Sequence, residues 1–228
     1  MIGVEIHFGI GVISGCLRRS DRLSLKWLVD TLRTWVLPPF MTPCTIFMQP
    51  PHGSKIGSPN CLYQQQHYID EPYFRLIHNL QDLSVQALPQ GYSLYKATLK
   101  DFAEHINSCY SKIGITEADL QDYTARPVYD SALWLAIKDN QTNEIVATGI
   151  AELDREIGEG VLEWIQVSEQ HRGYGLGKYV VSELLWRMKD NAKFATVSGQ
   201  CNNPSNPEVL YRKCGFIGSD VWHILRKW

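Results

Sequence analysis

A glycine-rich loop between a strand-like segment and a helix-like segment constrains this chain more than any other feature. The loop reads Arg-Gly-Tyr-Gly-Leu-Gly at 172–177, after the β-branched residues Ile165 and Val167 and before an apolar periodic segment. Glycine lets a backbone adopt positive φ and approach a ligand closely. The N-terminus of the following helix would present unpaired N–H groups and the positive end of its dipole. The combination predicts an α/β fold in which this loop binds a pyrophosphate.

Apolar periodicity predicts the elements around the loop. Three strands at 132–138, 145–154 and 161–167, joined by short polar or glycine turns, predict an antiparallel meander. A helix at 175–191 follows the loop and carries an apolar stripe on one face. The other predicted elements are a strand at 92–97, helices capped by Thr98 with Asp101 and by Thr116 with Asp119, a strand at 194–200, a helix capped by Ser205 and closed by Gly215, and a strand at 221–225.

The first 88 residues carry no recognisable motif. The sequence predicts a helix at 24–37, a proline-rich loop or extended edge at 38–60, and a short helix at 73–83. The turn at 89–91 then divides an N-terminal extension, 1–88, from a second domain, 90–228. Three interpretations of the extension stay open: a shortened, degenerate copy of the second domain's fold, a substrate lid, or an oligomerisation arm.

Composition excludes several classes of protein. Hydrophobic residues make up 44% of the chain and charged residues 20%, which excludes disorder over the whole length. The formal net charge of −2 gives no electrostatic case for general nucleic-acid binding, and no apolar run approaches the length of a membrane span. The six cysteines include no C-x-x-C pair, so no metal site is predicted, and scattered thiols favour a cytoplasmic protein. A lipoprotein-like box at 13–16 follows a segment without Lys or Arg, which argues against export.

The loop by itself allows three other interpretations. A Walker A loop would need Ser or Thr after its lysine, but Lys178 is followed by Tyr179. A dinucleotide-binding loop should follow the first strand of a parallel βαβ unit, whereas this one follows an antiparallel meander. A glycine-rich connector that binds nothing is the third interpretation. The sequence around the loop decides between them.

Two motifs resemble those of the GNAT acyl-CoA N-acetyltransferases. The run 167–178 is similar to their motif A, with its R-x-x-G-x-G signature, and 210–216 is similar to their L-Y-x-x-x-G-F motif. The order of predicted elements from Tyr92 onward also agrees with this superfamily. The resemblance implies the GNAT fold, which is α/β (α+β): a mixed central sheet with a splayed strand pair and flanking helices, here preceded by the N-terminal extension.

The resemblance also implies how an acyl donor, acetyl-CoA, would bind. The loop N–H groups would hold the pyrophosphate, and the strand before the loop would pair with the pantetheine arm through its backbone. A backbone N–H near Gln166 or Val167 would polarise the acetyl carbonyl. The expected acetyl-CoA contacts are Ile165, Gln166, Val167, Arg172, Gly173, Tyr174, Gly175, Leu176, Gly177, Lys178, Asn203, Asn206 and Tyr211. The two asparagines lie closer to Tyr211 than the family pattern leads us to expect.

Two residues are the candidates for proton transfer. Tyr211 matches the family tyrosine that often protonates the departing CoA thiolate, although packing in the core is the alternative role. Glu163 alternates with Val161 and Ile165 on an apolar face, where burial would raise the pKa of a carboxylate and suit it to act as general base. Rival bases are Glu152, Glu159 and His171.

The sequence therefore predicts a cytoplasmic acetyl-CoA-dependent N-acetyltransferase that uses no metal and forms no covalent enzyme intermediate. Its acceptor would be a primary amine on a small molecule or a peptide. No nucleic-acid or membrane partner is expected, and a homodimer is compatible with the sequence. The alternatives are a non-catalytic acyl-CoA-binding or sensor module, which would need neither Glu163 nor Tyr211, and an ATP-dependent enzyme that uses the loop for a nucleotide.

Overall fold

A computed structural model describes residues 2–8, 11–17, 44–48, 68–84, 86–111 and 113–227. The predicted helix at 24–37 lies outside these residues. Chain contacts divide the protein into two compact units. The larger unit comprises Leu76–Ser198 and Ser205–Gly218, and the smaller one comprises Met1–Arg75, Gly199–Pro204 and Ser219–Trp228. The predicted division into 1–88 and 90–228 stays a prediction.

The described residues form ten strands and four α-helices. The strands are β1 (Ile2–Phe8), β2 (Gly11–Leu17), β3 (Cys44–Met48), β4 (Tyr68–His78), β5 (Tyr92–Tyr95), β6 (Trp134–Asp139), β7 (Ile145–Asp154), β8 (Glu159–Val167), β9 (Phe194–Gln200) and β10 (Ile217–Lys227). The helices are α1 (Leu99–Cys109), α2 (Glu117–Thr124), α3 (Leu176–Met188) and α4 (Pro207–Lys213). Both predicted capping boxes are present, because Thr98 and Asp101 cap α1 and Thr116 and Asp119 cap α2.

Seven strands contribute to the sheet of the larger unit, in the order β10-β4-β9-β8-β7-β6-β5. Strands β5 to β8 pair antiparallel, which confirms the predicted meander. Strands β8 and β9 run parallel, so the sheet is mixed. This is the architecture that the sequence predicted: a mixed α/β sheet with flanking helices.

Strands β8 and β9 separate before either of them ends. Their ladder joins Glu159–Leu162 to Phe194–Val197, and both strands then continue without it. At the same point the β7–β8 register shifts, since Ile150 opposes Trp164 while Ala151 opposes Leu162. Glu163 is therefore the extra residue of a β-bulge, which twists and bends the strand that carries it. The bulge explains why the predicted splayed pair opens here.

Close packing of α1 and α3 against the sheet fixes the positions of the site elements. Helix α3 buries an apolar stripe that includes Val180 and Met188, and a Cβ at Gly149 or Gly160 would overlap those two side chains. Helix α1 contributes a second cluster, with Ile106 fully buried. Burial of these side chains stabilises the fold by about 2 kcal/mol each.

Two local predictions were wrong. The segment predicted as a helix at 73–83 forms most of strand β4, because Phe74, Leu76 and His78 are buried in strict alternation, which is a strand period. Helix α4 is not capped by Ser205. It begins after Asn206, which has φ +46°, and Pro207 supplies the fixed φ of the first helical position.

The smaller unit contains a β1–β2 hairpin and the antiparallel pair β3–β10. The extended strand β3 lies in the proline-rich stretch, as predicted for an extended edge. In this unit Gln200 donates a 3.1 Å hydrogen bond to the Tyr73 hydroxyl, and both carboxylate oxygens of Asp70 lie 3.0 Å from His223 Nδ1.

Candidate active site

The backbone after β8 forms an exposed loop that leads into α3. Gly173 and Gly175 have φ +85° and +89°, a region that side-chain-bearing residues rarely adopt. The first main-chain bond of the helix runs from Tyr179 N–H to Gly175 O, at 2.9 Å. The N–H groups of 176–178 precede that bond and have no carbonyl of the helix to reach, and Gly175 has no side chain to cap them. The helix therefore presents donors and a positive dipole end at its start.

Hydrogen bonds at the start of the loop restrain it, while the loop surface stays accessible. Arg172 Nε donates to the Val167 carbonyl at 3.2 Å, and the Tyr92 hydroxyl lies 3.1 Å from His171 Nδ1. Tyr174 is 62% exposed, and Lys178 is exposed too. An accessible loop with oriented N–H groups suits an anionic ligand better than it suits a simple connector.

Gly177 has a different role from the two positive-φ glycines. A Cβ at Gly177 would lie 3.1 Å from Leu210 Cδ2 and 3.6 Å from Val167 Cγ2. This glycine thus allows α3 to approach α4 and the end of β8. The motif's three glycines combine two conformational positions with one packing position.

The last part of β8 offers an unused backbone edge beside the loop. The backbone pairing between β8 and β9 ends at Leu162. From there to Val167 the edge of β8 on that side is not paired with β9. Ile165 and Val167 are half-buried there, while Gln166 is buried and donates through Nε2 to Thr148 Oγ1. The Gln166 side-chain oxygen has no hydrogen-bond partner. An extended ligand arm could pair with this edge as an added strand would.

Glu163 lies next to a group of aromatic side chains. Burial and the Glu163 carboxylate raise the pKa of Tyr123 to about 12. Trp164 Nε1 donates to the Tyr123 hydroxyl at 3.4 Å, and the Tyr110 and Trp164 rings meet edge to face at 6.1 Å. Glu163 itself is half-buried. The structure thus places Glu163 near Tyr123, whose hydroxyl accepts the Trp164 hydrogen bond, at the bulge of β8.

The three rival bases have other partners. Glu152 forms a 2.7 Å ion pair with Arg126, and the two side chains are only 11% and 10% exposed. Burial raises the pKa of Glu152 and the Arg126 charge opposes that shift. Glu159 is buried and accepts a 2.7 Å bond from Thr196 Oγ1, while His171 is held by Tyr92.

Tyr211 is more buried than a solvent-accessible acid would be. Its side chain lies in α4 with 6% exposure and packs edge to face on Phe216 at 5.9 Å. Burial raises the pKa of Tyr211 well above its ordinary value, so the phenol holds its proton more firmly. The predicted proton-donor role and the packing role both agree with this position. Asn206 begins α4 in the larger unit and Asn203 belongs to the smaller unit, and their roles stay predictions.

The sequence analysis missed a buried polar cluster beneath the end of β8. His105 is 5% exposed, with Nδ1 2.8 Å from Thr148 Oγ1 and Nε2 3.0 Å from Ser168 Oγ. Cys109 Sγ lies 3.8 Å from the same Nε2. Burial lowers the pKa of His105 to about 4 and raises that of Cys109, so imidazole and thiol both stay neutral. The signal in the sequence was a histidine on the apolar stripe of α1.

The depressed pKa of His105 predicts a pH-dependent stability. Its value of about 4 lies below the ordinary 6.5, so the unfolded state binds more protons between these pH values. The contribution of neutral His105 to the free energy of unfolding is therefore fully present above pH 6.5. It falls by about 3 kcal/mol as the pH is lowered toward 4. Urea unfolding measures this effect as the difference in the free energy of unfolding between wild type and His105→Asn. We expect that difference to decrease by about 3 kcal/mol from pH 7 to pH 4. Burial also lowers the pKa of His78, but this residue is present in both proteins, so its contribution cancels in the difference. A gap independent of pH would contradict the assignment.

Comparison with known proteins relates the fold of this chain to known structures. Residues 129–217 match the family model described as an acetyltransferase (GNAT) domain. A GCN5-related N-acetyltransferase from Sphaerobacter thermophilus superposes with a TM-score of 0.67 at 17% identity, covering 99% of this chain and 75% of that one. A GNAT-family acetyltransferase from Colwellia psychrerythraea gives 0.57 at 14% identity, with 100% and 82% covered. A tandem GNAT protein from the clavulanic acid biosynthesis pathway gives 0.57 at 12%, with 95% and 74% covered. No curated protein matches the chain.

Residues 129–217 therefore resemble a GNAT acetyltransferase domain, as the two motifs implied, and the similar solved structures share the fold of this chain. In the described part of the chain, no helix is both long and apolar enough to cross a membrane. Nor does any group of three or more His, Cys, Asp and Glu side chains within those residues form a metal-binding arrangement.

Proposed function

We propose that this protein transfers an acetyl group from acetyl-CoA directly to a primary amine of a small molecule or peptide, in the cytoplasm. The observation that carries the proposal is the left-handed Gly175 at the start of α3, which leaves the N–H groups of 176–178 without a side-chain cap. The free thiols of Cys109 and Cys214 agree with a reducing compartment.

The donor's two halves would contact two neighbouring parts of the site. Its pyrophosphate would accept hydrogen bonds from the N–H groups of 173–178, with Arg172 and Lys178 adding positive charge. Its pantetheine arm would pair with the open edge of β8 at Ile165 and Val167. The thioester would then lie near the bulge, within reach of Glu163. Asn206 and Tyr211, both in the larger unit, remain candidates for further donor contacts.

The chemical step transfers one acyl group and moves two protons. Glu163, directly or through a water, takes a proton from the acceptor ammonium, and the neutral nitrogen attacks the thioester carbonyl carbon. A backbone N–H at Gln166 or Val167 stabilises the oxyanion. The C–S bond breaks as the amide forms. The CoA thiolate receives the second proton of the nitrogen either directly or through Tyr211, which protonates the thiolate and recovers its own proton from that nitrogen. The raised pKa of Tyr211 makes it a weak acid in the free protein, so the second donor is a real competitor.

The aromatic surroundings of Glu163 support a cationic acceptor. The Arg126 guanidinium already lies over the Tyr123 ring, 3.4 Å from its centroid, so the half-buried Trp164 ring is the aromatic group that we propose lies beside the ammonium. The acetyl group, rather than a longer acyl chain, is the donor that we propose to test first.

A non-catalytic acyl-CoA-binding module is the second candidate. The observation that favours it is the burial of Tyr211, which packs like a core residue. Such a module would bind CoA through the loop, and it would be unaffected by loss of Glu163.

Thermal unfolding with acetyl-CoA, CoA and ATP–Mg²⁺ tests the proposal. A ligand at about 100 times its Kd stabilises by about 2.7 kcal/mol, which shifts the Tm of a chain this size by a few degrees. We expect a shift with both CoA species, followed by release of CoA when a library of primary amines is added to protein and acetyl-CoA. A shift with ATP–Mg²⁺ alone would overturn the proposal in favour of a nucleotide-dependent enzyme. A CoA shift without turnover of any amine would favour the binding module.

A further inference from the structure

A buried imidazole connects helix α1 to the residue that joins β8 to the glycine loop. Ser168 follows the last residue of β8 and begins the short turn Glu169–His171 that enters the loop. Its hydroxyl lies 3.0 Å from His105 Nε2, and its N–H donates to the Val146 carbonyl at 2.9 Å. Both the side chain and the backbone of this residue are therefore held by elements distant in sequence.

The other side of the imidazole is held as firmly. His105 Nδ1 lies 2.8 Å from the hydroxyl of Thr148, which also accepts a hydrogen bond from the Gln166 amide. Thr148 is fully buried and Gln166 is 5% exposed. A polar group buried this deeply is costly unless its bonds are made, so the ring has one favourable orientation.

These bonds join the two parts of the site that would hold the donor. Gln166 belongs to the open edge of β8, and Ser168 leads to the loop whose N–H groups must converge on one anion. Arg172 adds a third restraint, because its Nε donates to the Val167 carbonyl. The angle at which the chain leaves β8 sets the direction of the loop N–H groups. His105 links this exit to α1, and Cys109 of the same helix makes a second contact with Ser168.

We propose that His105 is a positioning residue for acyl-donor binding, acting through Ser168 on the loop 172–178. This proposal rests on the proposed function, since it assumes that the loop binds CoA. His105 does not contact the donor. It acts as a neutral ring whose hydrogen-bonding neighbours are the hydroxyls of Thr148 and Ser168, the thiol of Cys109 and the Val146 backbone.

Two substitutions separate the two ends of the ring. The amide of asparagine occupies the place of Nδ1 and can keep the Thr148 contact, whereas the longer glutamine places its amide near Nε2 and can keep the Ser168 contact. Either amide can donate and accept, so the comparison is independent of the histidine tautomer. If the Ser168 link matters, His105→Gln should resemble wild type and His105→Asn should not.

The first readout is the Kd for CoA, measured by titration calorimetry at pH 7.5. We expect an increase of about tenfold for His105→Asn and for Ser168→Ala, as for loss of one buried hydrogen bond. His105→Gln should stay within about threefold of wild type. The double variant His105→Asn with Ser168→Ala should be no weaker than either single variant, because both remove the same link.

The second readout needs no ligand. Amide hydrogen exchange in the free protein should be faster across 168–178 in His105→Asn and Ser168→Ala, and unchanged there in His105→Gln. Variants that lower only the Tm, while Kd and loop exchange match wild type, would overturn the positioning role and leave His105 as a packing residue. If His105→Asn fails to fold, Ser168→Ala decides alone. A wild type that does not bind CoA overturns the proposed function, and the exchange data then still test the link between His105 and the loop.

Discussion

Replacing Gly175 with valine is expected to weaken CoA binding about 100-fold, equivalent to about 2.7 kcal/mol. Gly175 has φ +89°, and a β-branched residue strongly disfavours that region. Steric overlap does not cause this effect, because a Cβ at Gly175 would contact only Pro89 Cγ, at the ordinary van der Waals distance of 3.7 Å. The backbone must therefore rotate, and the N–H groups that begin α3 would turn away from a common point. Calorimetric titration with CoA measures the effect.

A matched control separates loop geometry from general strain. Gly158 also has a positive φ, +78°, but it lies in the turn between β7 and β8, at the opposite end of β8 from the loop. Gly158→Val should lower the Tm, partly because Lys193 must move aside, while leaving the Kd for CoA within about twofold. If Gly175→Val binds CoA as wild type does, the loop does not bind the pyrophosphate.

Replacing Glu163 with glutamine is expected to lower kcat by about 10² to 10³ with little change in the Kd for CoA. Glutamine keeps the size of the side chain but cannot accept a proton from the acceptor ammonium. The bulge in β8 places Glu163 near Tyr123, whereas the glycine loop follows the end of β8. Steady-state kinetics with an amine identified by the library screen measures the effect, and the acidic limb of the pH–rate profile should disappear.

Two further variants serve as controls for the effect of Glu163→Gln. Glu156→Gln makes the same charge change in the exposed β7–β8 turn and should leave kcat unchanged. Glu152→Gln instead breaks a buried ion pair and should destabilise the protein by about 3 kcal/mol, because it leaves the Arg126 charge buried. Full activity in Glu163→Gln would remove that residue from the mechanism, and loss of activity without loss of stability in Glu152→Gln would transfer the role of base.

Local patterns predicted most of the elements around the site. Strands β7 and β9 begin and end where the alternation of apolar residues indicated, and α1 and α2 begin at their predicted capping boxes. These signals are local, because an N-cap and a periodic stripe involve residues within a few positions of each other. Strand β4 shows the limit of this approach, since Phe74, Leu76 and His78 alternate but the segment was interpreted as a helix.

Part of the candidate site could be predicted from local sequence, and part of it depends on tertiary contacts. The loop 172–177, with its two left-handed glycines and its helix start, could be predicted from sequence because every part of it is contiguous. The surroundings of Glu163 could not, because Tyr123 comes from α2 and the bulge depends on the register between β7 and β8. The Arg126–Glu152 pair joins residues 26 positions apart, and neither charge by itself indicates a partner.

The sequence by itself determined the mixed α/β class, the glycine loop and the superfamily that its two motifs resemble, because backbone conformation and short motifs are properties of neighbouring residues. Only the tertiary structure decided which carboxylate stands beside the aromatic rings, which ones are engaged in other bonds, and that His105 meets Ser168 across 63 positions of sequence. Burial and pairing depend on residues from several elements arriving at one place. They also set whether an ionisable group keeps its proton, and so the chemistry that the site can perform.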